Sequence, residues 1–192
     1  MKKIKLILFI YFILLTNVFS ETVLPIYEGK TNAKIKLIIY ESLTCSHCAD
    51  FHLEVYPKLK EEFIDPGLAS IEFRNFPLDL AALNASKLAH CKNDGKSDIL
   101  HDLYKNQKNW IKGKNILEIN NNLKNFIKEK KIEINYENCL ENETLENHIL
   151  EERIDGSKKF KIEATPTLII NENKFEKPIN YKNIKKTLKK MI

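Results

Sequence analysis

Strand-forming sequence in this chain of 192 residues is confined to its two ends, and the stretch between them, from Asp79 to about Lys161, reads as helices only. The N-terminal part reads strand, strand, helix, strand over Val23 to Tyr27, Ile35 to Glu41, Ser46 to Ile64 and Ala69 to Phe76, with Asp65-Pro66-Gly67 turning the chain before the last. The C-terminal part adds an apolar strand, Thr167-Leu168-Ile169-Ile170-Asn171, then a polar turn at Glu172-Asn173, a short strand near Phe175 and a final helix from Tyr181. Strand content split in this way argues against two independent domains in series. The expected fold class is α/β: one domain built from residues 21–76 and 157–192, carrying an α-helical insertion over residues 77–156.

Inside the helical block, apolar residues recur at spacings of three and four. Leu80, Leu83, Leu88 and Cys91 mark one helix, Ile99, Leu103 and Trp110 a second, and Ile116, Ile119, Leu123, Phe126 and Ile127 a third. A longer helix around Leu145, Ile149 and Ile154 leads back to the sheet, and Asn93-Asp94-Gly95 and Asn142 supply turns and caps.

The first twenty residues read as a separate object. Lys2, Lys3 and Lys5 precede an apolar core from Leu6 to Leu15, and Val18-Phe19-Ser20 places small residues for cleavage after Ser20. That is the pattern of a secretory signal peptide, residues 1–20; the alternative is an uncleaved membrane anchor, for which ten apolar residues are short. The formal charge of +5 falls to +2 once those three lysines are set aside, so the basicity is mostly targeting. No concentrated basic face with interleaved aromatics points to nucleic acid. In an exported chain, four cysteines are expected to be oxidised or redox-active.

Two of the four form Cys45-Ser46-His47-Cys48, between the apolar run Lys36-Leu37-Ile38-Ile39-Tyr40 and an amphipathic helix carrying Ala49, Phe51, His52, Val55, Leu59 and Phe63 on one face. The first cysteine then lies at a helix N-terminus, where unpaired N–H groups and the helix dipole favour a thiolate. The second, one turn further in, is shielded and poised to resolve a mixed disulfide. His47 can hydrogen-bond to a Cys45 thiolate and add positive charge. A zinc site needs four ligands; Cys45, Cys48 and His52 offer three, with no second CxxC or HxxxH, so no metal is expected. His52, His90, His101 and His148 read as surface or core residues. Glu41 reads either as a buried acid assisting proton transfer or as a surface residue. At Ala164-Thr165-Pro166-Thr167 a proline opens a strand that otherwise reads as buried, a constrained position.

The run from Tyr40 to His52, with Phe73-Arg74-Asn75-Phe76-Pro77-Leu78-Asp79, Gln107-Lys108-Asn109-Trp110 and Thr165-Pro166-Thr167, resembles the DsbA-like periplasmic thiol:disulfide oxidoreductases, most nearly their alphaproteobacterial branch. The resemblance implies a thioredoxin fold interrupted by a helical domain, with Pro166 in cis facing the CxxC and the backbone of Thr165 pairing with an extended substrate. It implies no cofactor, reduced exported polypeptides as substrates, and a membrane quinone-linked partner of the DsbB type for re-oxidation. It also implies a second, non-catalytic disulfide between Cys91 and Cys139. Closing that loop is worth about 4 kcal/mol in a chain-entropy account. Ser46 and Thr165 stand where the best-known DsbA proteins have proline and valine, which leaves oxidising strength open.

The expectation is thus a periplasmic dithiol oxidase with Cys45 attacking. A disulfide isomerase or reductase of the same fold is the nearer rival, and a non-catalytic thioredoxin-fold chaperone the farther one.

Overall fold

The computed structural model of the chain describes residues 22–192, so the leader expected over residues 1–20 lies outside the described residues. Among the described residues, no helix is long and apolar enough to cross a membrane. Five strands, β1 (Ile26–Gly29), β2 (Ile35–Glu41), β3 (Ala69–Asn75), β4 (Thr167–Ile170) and β5 (Asn173–Lys174), form one sheet in the order β1-β3-β2-β4-β5. Only β2 and β3 run parallel; the other neighbours are antiparallel. Ile39 is flanked by Phe73 on one side and by Leu168 on the other, so the two ends of the sequence meet across the central strand.

Side chains alternate along a strand, so Leu37, Ile39 and Glu41 share one face of β2 and Ile38 and Tyr40 the other. The first face joins the main core with Ile71, Phe73, Leu168, Phe51, Leu59 and Phe63. The second makes a smaller core of Tyr40, Phe76, Phe160, Ile162 and Ile169.

The helix after β2, here α1, covers residues 46–64 and is not a uniform α-helix. Pro57 has no N–H to donate to the preceding turn, and the run widens into a π turn at Phe51–Val55 before Tyr56–Leu59 and into another at Lys60–Ile64. Then come α2 (Leu80–His90), α3 (Asp98–Lys105), α4 (Gln107–Trp110), α5 (Ile116–Glu129), α6 (Tyr136–Glu141) and α7 (Glu143–Phe160), with α8 (Tyr181–Leu188) after the last strand. Asp79, Asn115, Asn135, Asn142 and Asn180 each cap a helix by accepting from a backbone N–H of its first turn. The Cys91 and Cys139 sulfurs are bonded, with 5.5 Å between the two Cα atoms, which ties the end of α2 to α6.

Three details differ from the sequence expectation. The first strand begins at Ile26, not Val23, because Pro25 cannot join a ladder and the N–H of Leu24 donates to Asn93 Oδ1 at 2.7 Å. The β4–β5 turn falls on Asn171 and Glu172, both at positive φ, one residue earlier than expected. Ile154 is exposed; the inward residues of α7 are Leu145, Ile149, Glu152, Gly156 and Phe160, because the carboxylate of Glu152 accepts from the N–H and the side-chain amide of Asn75. α7 also runs unbroken through residues 156–157, where the insertion is expected to end, packing on α2 and on β3 along its length.

Candidate active site

Cys45 is the N-cap of α1 and has extended dihedrals, φ −79° and ψ 121°. No side chain caps this helix, so the free N–H groups of its first turn are left for the Cys45 sulfur. Gln107 of α4 fixes the approach to the helix: its side-chain amide donates to the carbonyls of Leu43 at 2.8 Å and Cys45 at 2.9 Å. Both cysteines of the CxxC are thiols, Cys45 half-buried and Cys48 buried.

From the other end of the chain, the segment before β4 brings Thr165 and Pro166 against Cys45, and the Thr165–Pro166 peptide bond is cis. The Cys45 thiol donates to the carbonyl of Thr165 at 3.4 Å. The Thr165 hydroxyl is buried beside it without a partner among the described residues, and a thiolate at Cys45 would accept from it. An open groove lined by His47, Phe51, Val55, Pro166 and Ile179 runs alongside.

The two sulfurs are driven apart electrostatically. The Cys45 thiol is lowered from 9.0 to about 5 by the hydrogen bond from Cys48, then by Thr165 and the N–H groups of Cys48 and His47, which together outweigh the cost of partial burial. The Cys48 thiol is pushed far up, first by burial and then because its hydrogen bond to Cys45 and the charge of Glu41 both disfavour a second anion. One sulfur is therefore a stable leaving group and the other holds its proton.

His47 differs from the expectation. Its ring is 81% exposed and sits 3.7 Å from Asp50 Oδ2, so its hold on Cys45 comes from its backbone N–H and not from the imidazole.

Beneath the cysteines lie groups that local sequence reading did not join. Glu41 is buried, and burial pushes its carboxyl well up. Its Oε2 is 2.7 Å from His52 Nε2, and His52 Nδ1 is 2.9 Å from His101 Nδ1. His52 therefore spends both nitrogens on Glu41 and His101, not on a site with the cysteines. Nothing in the sequence around Gln107 or His101 signals these contacts, which come from the helical block.

Among the described residues, His90, His148 and Glu152 are grouped closely enough to suggest a metal site. Asn75 already fills the place between two of them: its amide is 2.8 Å from His90 Nε2 and donates to Glu152 at 2.6 Å.

A four-residue dithiol motif opening the first long helix, faced by a cis-proline at the head of an antiparallel strand, defines a thioredoxin-class site. The chain belongs to the thioredoxin family, whose model matches residues 21–190. A solved structure, alpha-DsbA1 of Wolbachia pipientis, superposes with a TM-score of 0.77 at 26% identity, covering 90% of this chain and 94% of that one. Disulfide bond formation protein D of Bacillus subtilis is 26% identical over 171 residues, 84% of this chain and 74% of that protein. A candidate protein-disulfide oxidoreductase of Rickettsia bellii is 39% identical over 84 residues, 43% of this chain; the match spans about a third of that relative's length.

Proposed function

We propose that the protein is an exported thiol:disulfide oxidase that passes a disulfide from Cys45 and Cys48 to newly translocated polypeptides. The observation that carries this reading is the placement of the two sulfurs: a half-buried Cys45 at the free N–H groups of a helix start and against the cis-proline segment, set above a fully buried Cys48. A stabilised Cys45 thiolate stabilises the reduced protein, so the disulfide form is the reactive, oxidising one.

A substrate thiolate attacks Cys45 of the disulfide, and Cys48 leaves and takes up a proton. A second substrate thiolate then attacks the substrate sulfur of the mixed disulfide, and Cys45 leaves as thiolate. The substrate leaves with two fewer electrons and the protein keeps them as the dithiol. Thr165 presents its backbone to the extended substrate at the edge of the groove beside Pro166. The Cys91–Cys139 bond is structural, residues 77–156 are an inserted helical unit, and residues 1–20 direct the chain to the periplasm. A quinone-linked membrane oxidase of the DsbB type restores the disulfide.

Oxidative refolding of a reduced, disulfide-containing test protein checks the assignment. Activity should be lost in Cys45→Ala, and undiminished activity in that variant would refute it. Equilibration of Cys45 and Cys48 with glutathione separates an oxidase from an isomerase or reductase: a strongly oxidising couple is expected.

A further inference from the structure

Four titratable side chains under the cysteines have no part in the exchange steps above. Glu41 Oε2 to His52 Nε2 is 2.7 Å, His52 Nδ1 to His101 Nδ1 is 2.9 Å, and His101 Nε2 to Glu28 Oε1 is 3.0 Å. The four residues come from four elements, β2, α1, α3 and β1, so helix or strand periodicity does not create the line. The inner pair is buried and the outer pair partly exposed: the side chains of Glu41 and His52 are 4% and 2% exposed, those of His101 and Glu28 27% and 14%. The rings are held in place by aromatic stacking, His52 on Tyr104 with centroids 4.0 Å apart and His101 on Tyr56 at 4.6 Å, with Phe73 against both.

The outer end is fixed as a carboxylate. Glu28 accepts from Lys60 at 2.7 Å and from the Ser97 hydroxyl, and Lys60 also pairs with Asp65 at 3.0 Å. His101 Nε2 must therefore donate to Glu28. Two complete hydrogen-bond arrangements satisfy the rest. In one, Glu41 is a neutral acid donating to His52 Nε2, and His52 Nδ1–H donates to His101. In the other, Glu41 is a carboxylate accepting from His52 Nε2–H, and a cationic His101 donates from Nδ1 to His52 and from Nε2 to Glu28. They differ by two proton hops between atoms already in contact, which moves one proton from Glu41 to His101.

At the inner end, Glu41 Oε1 is buried with no hydrogen-bond partner among the described residues, and the charge of Glu41 bears on Cys48. At the outer end, His101 and Glu28 line a surface groove with Tyr27, Lys60, Lys96 and Asp98.

We propose that His52 and His101, the latter held by the Glu28 carboxylate, form a proton relay connecting Glu41, and through it the buried Cys48 thiol, to solvent at this groove. The proposal rests on the reading of Cys45 and Cys48 as an exchanging dithiol. When Cys48 attacks a mixed disulfide at Cys45, its S–H proton passes to Glu41 and one proton leaves His101 for water. The Cys45–Cys48 bond forms, and the substrate sulfur departs with the electron pair of the broken bond. When a substrate opens the disulfide, the same protons run inward to the Cys48 thiolate. His52 and His101 are positioning residues that act through Glu41.

The test follows the full chain, reduced and mixed with oxidised glutathione in weak buffer, by acid quench and mass spectrometry. Cys45 forms a mixed disulfide with glutathione and Cys48 resolves it. In His101→Ala the mixed disulfide should form at the wild-type rate but persist about a hundredfold longer, the lower end of what a positioned proton carrier contributes. Millimolar imidazole, entering the vacated space, should restore its decay. His101→Gln, which fills that space but cannot change protonation, should be equally slow and unmoved by imidazole. Wild-type decay in either variant overturns the relay, as does slow decay in His101→Ala that imidazole does not rescue, since packing alone then explains the loss. If His101→Ala does not fold, His101→Gln and Glu28→Gln decide by the same lifetime. A wild-type protein that forms no mixed disulfide at all overturns the dithiol reading itself.

Discussion

The sulfur of Cys45 lies 3.4 Å from the carbonyl oxygen of Thr165, across 120 residues of sequence. The contact brings the first turn of α1 and the cis-proline segment before β4 into one site, where Cys48, the Thr165 hydroxyl and the N–H groups of Cys48 and His47 lower the Cys45 thiol.

Cys45 should react with iodoacetamide at half its maximal rate near pH 5, and Cys48 should stay unmodified until the protein unfolds. Depression of the Cys45 thiol from 9.0 to about 5 also makes the reduced protein's stability pH-dependent. The contribution is complete above about pH 9, where the unfolded thiol is also ionised, and is lost as pH falls towards 5. The oxidised protein has no such ionisation. Denaturant titrations of both forms from pH 5 to 8 should show the reduced form gaining on the oxidised form as pH rises; parallel profiles would refute the assignment.

Thr165→Val removes the hydroxyl beside Cys45 and leaves the carbonyl. The Cys45 thiol should titrate above about 5, the reduced form should lose stabilisation, and the disulfide should become a weaker oxidant. Thiolate absorbance against pH, together with the glutathione equilibrium, checks both effects. An unchanged titration would show that the hydroxyl does not serve the thiolate.

Replacing both Cys91 and Cys139 with alanine opens a loop of 48 residues' separation. Stability should fall by up to about 4 kcal/mol in denaturant unfolding. Glutathione exchange at Cys45 should continue at its wild-type rate below the unfolding transition, because the bond joins α2 to α6 and leaves the CxxC untouched. A variant that unfolds at the wild-type denaturant concentration would contradict this.

Gly156→Ala sets two effects against each other. Alanine favours a helix over glycine by about 0.5–1 kcal/mol. Its Cβ, however, would lie 2.7 Å from Tyr40 Cε1, against a ring that is fully buried and cannot withdraw. Overpacking of this kind costs about 1–3 kcal/mol, so the melting temperature should fall. A rise would mean that α7 can shift off the sheet.

The CxxC, its place between strand and helix, the split sheet and the turn and cap residues were legible because each is a local pattern of spacing or residue type. Gly156 was not, since its role depends on Tyr40, more than a hundred residues earlier in the chain. Ile154 misled for a related reason. At that level of α7 the sheet offers Asn75, and the helix turns Glu152 towards it.

Residue order alone was enough to say which cysteine opens a helix, which lies one turn inside it, and that the strands flanking the helical block belong to one sheet. These follow from periodicity, propensity and the N–H groups left free at a helix start. It took the packing of distant elements to show that Gln107 grips the Cys45 carbonyl, that the His47 ring turns away, and that Glu41, His52, His101 and Glu28 form a line. Each of those outcomes depends on which polar atoms meet when distant elements pack together, and no residue's immediate neighbours in sequence carry that information.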